Sequence, residues 1–133
     1  LICLTLKYEA VFGLKKYETA HVWIDVLFFL ILLEMLFILI WTLFSLPPKN
    51  RGKKLSTRGI YSFIRHPIYT VIIFHTNILA SLWVGSYLLI FLIPLQYLLW
   101  SKMVVKEEEY LVGIFGQDYI DYMSNVSRFI PWK

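Results

Sequence analysis

The chain has 133 residues, the length of one domain, and its 59% hydrophobic against 17% charged residues exclude an ordinary soluble protein. The formal net charge of +4 is concentrated, with Lys49, Arg51, Lys53, Lys54, Arg58 and Arg65 in one connection. Beside spanning segments such a basic loop marks the cytoplasmic side of a membrane rather than a nucleic-acid surface. The single cysteine, Cys3, allows neither an intrachain disulfide nor a zinc cluster.

The first residue is Leu1 rather than Met, and residues 1–133 are expected to be one membrane domain truncated at its N-terminus. Leu1 to Leu6 reads as the tail of a spanning helix. Lys7 to Ala20 interleaves charges with Tyr8, Val11, Phe12, Leu14 and Tyr17, the pattern of an interfacial connection or short amphipathic helix.

Residues 22–46 form the clearest spanning helix, roughly 37 Å long at 1.5 Å per residue. Glu34 falls near its middle, where a charge is costly, so it should face protein or a wet cavity. Pro47-Pro48 stops this helix. The basic loop follows over 47–66 and re-enters the interface with Tyr61 and Phe63.

A second helix is predicted over 67–82, because proline is favoured at the first helical position, where its missing N–H has no partner anyway. His66, before the proline, is pushed toward extended backbone. Leu82 to Ser86 reads as a tight turn. Residues 87–105 form the returning helix, with Pro94 as a kink, continuing to about Phe115, where Gly116 caps it. The two helices make an antiparallel hairpin, which brings Arg65-His66 to Lys106-Glu107-Glu108-Glu109-Tyr110. Residues 117–124 form a polar helical turn with Tyr119 and Tyr122 on one face, and Arg128 to Trp132 returns to the interface with an aromatic anchor. His75, Asn77 and Gln96 are expected to make interhelical hydrogen bonds, with His75 also placed to line a lipid entry. The fold class is therefore all-α, an integral-membrane helical bundle with a C-terminal hairpin.

The hairpin gathers Arg65, His66, Tyr69, Glu107, Glu108, Tyr119, Tyr122 and Arg128. Arg65 and a helix N-terminus suit a carboxylate or phosphate. Carboxylates suit a diol or a cation, and aromatic faces suit an adenine ring or a sulfonium. S-adenosylmethionine combines these parts. A nicotinamide dinucleotide uses the basic and aromatic groups too, although paired acids fit its phosphates poorly. Taken singly, Arg65 could be a snorkelling anchor, the glutamates a solvated face and the tyrosines packing residues. Their convergence at one end of a hairpin favours a site.

The run Gly59-Ile60-Tyr61-x-x-x-Arg65-His66-Pro67-Ile68-Tyr69, followed by Glu107-Glu108-x-x-Leu111-x-x-x-Phe115-Gly116-x-x-Tyr119-x-x-Tyr122-x-x-x-Val126-x-Arg128-x-Ile130-Pro131, resembles the isoprenylcysteine carboxyl methyltransferases and their phospholipid N-methyltransferase relatives. The resemblance covers residues 56–131. It implies a small bundle of membrane helices, with S-adenosylmethionine held at the cytoplasmic end by the last hairpin and the C-terminal segment. It implies Arg65, His66, Glu108 and Arg128 as catalytic residues, and Arg65, His66, Pro67, Tyr69, Glu107, Glu108, Tyr119 and Tyr122 as cofactor-binding ones. Arg65, His66 and the helix start would take the amino-acid end of the cofactor, and Glu107 or Glu108 the ribose. The substrate would be a lipid or lipidated molecule, with a prenylcysteine carboxylate or a phospholipid amine as acceptor. The protein would lie in a bacterial or archaeal inner membrane or the endoplasmic reticulum.

One position departs from the family pattern: Val71 stands where a glycine is usual. Membrane sterol reductases share the Arg-His-Pro-x-Tyr core, but their pattern has Asn at the position of Ile68, and Glu107-Glu108 favours the methyltransferases. A non-catalytic membrane adaptor is the third alternative, with Val71 as its main support.

Overall fold

The computed structural model describes residues 22–50 and 52–132, so the expected helix tail and amphipathic stretch over 1–20 lie outside the described residues. Among the described residues three helices are long and apolar enough to cross a membrane: α1 (Val22–Ser45), α2 (Pro67–Val84) and α3 (Leu88–Phe115). A short fourth helix, α4 (Gln117–Asn125), follows. This is an all-helical, multi-pass membrane bundle.

Helix α1 ends at Ser45, where Pro47 and Pro48 cannot continue the ladder. Thr42 is buried and bonds back to the Ile38 carbonyl at 2.7 Å. α1 runs antiparallel to α2: Phe28 near its start meets Trp83 at 5.9 Å between ring centroids, and Trp41 near its end meets Phe63 at 6.0 Å. The loop is pinned where Gly59, at φ +64°, presses on Ser45. A Cβ there would collide with the Ser45 hydroxyl, so only glycine fits.

Helix α2 opens with Pro67 at its first position, as the sequence predicts; His66 before it is non-helical, but at φ −126° and ψ 67° it is not the extended backbone expected of it. Two features differ from the expected regular helix over 67–82. Its middle turn, Val71–His75, is π-helical, and its end lies at Val84. The extension has a clear cause. Gly85 takes the left-handed conformation, and the N–H groups of Gly85 and Ser86 both donate to the Ser81 carbonyl at 2.9 and 3.1 Å. The tight turn is therefore shorter than Leu82 to Ser86. α3 then runs unbroken for 28 residues through Pro94 to Phe115. Gly116 ends it, at φ 58°, donating to the Val112 carbonyl at 2.8 Å.

The chain then turns back on itself. Ser127 pairs with Ile64 in a parallel bridge. The Arg65 N–H donates to the Ser127 carbonyl at 2.9 Å, and the His66 N–H to the Arg128 carbonyl at 3.0 Å. Thr70 adds its hydroxyl to the Phe129 carbonyl at 2.9 Å. Phe129 is accordingly buried, packed with Ile73 and Val104 in the hairpin core. Of the aromatic residues expected at the interface here, Trp132 is the exposed one. The midsection is joined by Asn77 and Gln96, which exchange amide hydrogen bonds at 3.0 and 3.2 Å, the interhelical contact expected of them.

Glu34 faces α2. Its carboxylate stands 3.8 Å from His75 Nε2, and 64% of its side chain stays exposed.

Candidate active site

At the open end of the hairpin, α2 begins where α3 leaves the apolar region, and helix phase sorts two adjacent glutamates. Glu108 lies one turn beyond buried Val104 and turns inward, to 4% exposure. Glu107, rotated about 100° away, shares a stripe with Leu111 and Phe115, four and eight residues on. All three line a cleft of about 380 Å3, within the range of small-molecule sites.

Arg65 to Tyr69 form the floor of this cleft. Tyr119 and Tyr122 of α4 stand on one side, their rings 5.8 Å apart. Tyr61 and the loop residues Lys54, Leu55 and Ser56 stand on the other. The Tyr122 hydroxyl donates to the Tyr61 carbonyl at 2.6 Å, tying α4 to the loop. Burial pushes the Tyr119 phenol up to about 12, with the Glu108 charge adding to the shift and Arg65 opposing it. Burial likewise raises Tyr122, with Tyr119 beside it. Both offer neutral hydroxyls across the physiological range.

Behind the floor, Glu108 gathers three basic side chains. Arg65 Nη2 lies 3.1 Å from its Oε1 and His66 Nε2 3.2 Å from the same oxygen. Arg128 donates from Nε at 3.2 and 3.0 Å to the two oxygens and from Nη2 at 2.6 Å to Oε2. These are charge-assisted bonds in a dry setting, where geometry is held tightly. Arg65 keeps two donors in reserve: its Nε and Nη1 are buried with no hydrogen-bond partner. A buried guanidinium with unmet donors beside a cleft is built for an anion.

Tyr69 completes the floor. Its hydroxyl donates to Glu107 Oε2 at 2.9 Å. Its ring stacks between His66, at 5.6 Å, and Trp100, at 4.8 Å.

The predicted residues therefore separate into two groups. Arg65, His66, Pro67, Tyr69, Glu107, Tyr119 and Tyr122 all line the cleft. Glu108 and Arg128 lock onto each other and do not line it, because the bonds of Arg128, Arg65 and His66 occupy both Glu108 oxygens. Glu107 is the carboxylate that the cleft presents. Sequence reasoning missed the loop wall of Lys54, Leu55 and Ser56, which reads only as a topological charge signal. It also missed Trp100, one apolar residue in an apolar helix.

A profile of the isoprenylcysteine carboxyl methyltransferase (ICMT) family matches residues 26–113, well over half of the chain. The chain belongs to this family. Among curated proteins, this ICMT-family chain is 35% identical over 86 residues to the protein-S-isoprenylcysteine O-methyltransferase of Schizosaccharomyces pombe, covering 62% of the chain and 35% of that protein. It is 30% identical over 82 residues to methanethiol S-methyltransferase 1 of Bradyrhizobium diazoefficiens, covering 60% of the chain and 27% of that protein. The matches thus span about a third of the length of these relatives. Both are named as methyltransferases, and neither as a reductase. No solved structure matches the chain.

Proposed function

We propose that this chain transfers a methyl group from S-adenosylmethionine to a lipid-borne acceptor at the membrane surface, with its cleft facing the cytoplasm beside the basic loop. The observation that carries this is Arg65, which is buried at the cleft floor with Nε and Nη1 unpartnered. Those unpartnered donors, on a permanently charged guanidinium, suit the cofactor's carboxylate. Glu107, exposed and bonded on one oxygen by Tyr69, has capacity left to accept the ribose hydroxyls. Tyr119, Tyr122, Leu111 and Phe115 offer the apolar and aromatic walls that an adenine needs.

When bound, the cofactor supplies an electrophilic methyl group on a sulfonium. The chain's own residues bind, orient and exclude water. Glu108, itself held by Arg128, acts through Arg65: it holds Nη2 and leaves Nε and Nη1 without a partner. His66 is held in the same cluster. Both Glu108 oxygens are engaged, and a His66 that donates from Nε2 has only Nδ1 to take a proton; an acceptor that is already anionic needs no such base. A prenylcysteine carboxylate meets that condition, and a phospholipid ammonium does not. The name of the Schizosaccharomyces pombe relative supports the carboxylate. That of the Bradyrhizobium diazoefficiens relative adds a small thiol to the panel worth testing.

The test is methyl labelling by the purified full chain in bilayer nanodiscs, offered prenylcysteine, aminophospholipid and small-thiol acceptors. Label is expected on prenylcysteine as a base-labile ester. Label on the amine instead would overturn the acceptor. No label on any of the three, with no cofactor binding by calorimetry, would overturn the whole reading.

A further inference from the structure

Next to the cleft lies a second recess of about 360 Å3, at the end of α1. Lys54, Leu55, Ser56 and Leu46 line both cavities, so the loop is a shared partition. The recess adds Arg58, Thr57 and Asn50, and among the described residues no acidic one lines it. Lys54 and Arg58 make no ion pair among the described residues, and the Thr57 and Asn50 side chains make no hydrogen bond there. Every other long basic side chain at this end with a fixed partner, Arg65 and Arg128, is spent on Glu108.

The depth of the recess matters. It begins at Ser45, one turn beyond Trp41, the level at which an indole belt meets headgroups. The α1 C-terminus opposes an anion there with about half a unit of negative charge. Two full cationic charges outweigh it, and the Ser45 carbonyl is already capped by the Ser56 hydroxyl at 3.0 Å. Two cations, a hydroxyl and an amide at headgroup depth are phosphate chemistry.

We infer that this recess seats the phosphate of an anionic phospholipid headgroup, with Lys54 and Arg58 as its charged contacts. The seat is distinct from the methyl-donor cleft but shares its loop wall.

The full chain in neutral detergent, titrated with short-chain phosphatidic acid and read by native mass spectrometry, is expected to take up one lipid saturably. Phosphatidylcholine, whose choline offsets the phosphate charge, should bind at least tenfold more weakly. Removing both contacts in K54Q/R58Q should weaken phosphatidic acid binding about thirtyfold, at about fivefold per basic residue. K49Q/K53Q removes the same charge from the same loop without touching the recess, and should shift binding less than threefold. R58Q alone lines only this recess, so it should lose about fivefold in lipid affinity while keeping its cofactor affinity, which also reports an intact fold. Equal losses in the two double variants would reduce the effect to diffuse attraction and overturn the site. Inorganic phosphate binding as tightly as the lipid would overturn the lipid assignment.

Discussion

Two polar contacts tie the hairpin at different depths, and they are opposites. At mid-depth, Asn77 and Gln96 exchange hydrogen bonds, and Asn77 also donates to the Ile73 carbonyl at 2.8 Å. The pair is neutral and each amide answers the other, which is how polar groups survive among lipid-facing helices. At the open end, one carboxylate, Glu108, meets Arg65, His66 and Arg128. Positive groups outnumber it, and two guanidinium donors are left over. The first contact is complete and holds helices together. The second leaves guanidinium donors unmet, and that surplus is what the proposed site rests on.

Glu108→Gln tests the contrast most severely. It leaves Arg65 and Arg128 facing each other across a buried neutral amide, and breaking a buried ionic cluster in this way costs about 3–5 kcal/mol. A large drop in thermal midpoint in detergent is expected, with loss of cofactor binding. An unchanged midpoint would mean that the cluster is not a structural hub. Arg65→Lys is milder and more selective. It keeps a charge near Glu108 but removes the planar fork, so cofactor affinity should fall roughly 10- to 100-fold by calorimetry, with little loss of stability. Equal losses of both would erase the distinction between the held Nη2 and the unpartnered donors. Asn77→Leu is the smallest of the three. Leaving Gln96 unanswered should cost about 0.6–1.7 kcal/mol in unfolding measurements, and cofactor affinity should not move.

Much of this arrangement was legible beforehand. Pro67 fixes where α2 begins, Gly116 fixes where α3 ends, and the 18 residues of α2 followed by a short turn and the longer α3 bring residues 65–66 back beside 107–108. What was not legible follows from uniformity. α3 carries only Gln96, Ser101 and Lys102 as polar residues over 88–105, too few for a stripe that reveals its rotation, and rotation alone decides that Glu108 is enclosed while Glu107 meets the cleft. The backbone pairing of Ile64 with Ser127 was hidden because three residues are too few to show alternation. The loop wall was hidden because Lys54 has the same composition signature as any topological charge. Both the ring stack of Tyr69 on Trp100 and the burial of Phe129 depend on neighbours brought in from distant sequence.

The parallel bridge also has a consequence for biogenesis. The Arg65 and His66 amides depend on carbonyls that are synthesised only after both hairpin helices and α4. Arg65, His66 and Glu108 can meet as soon as the hairpin forms, before Arg128 and its neighbouring carbonyls have been made. The cleft floor therefore closes only after both hairpin helices and α4 have been synthesised. Until then the enclosed end of the hairpin carries open backbone groups at the membrane surface, a window in which quality-control factors could tell an unfinished chain from a finished one.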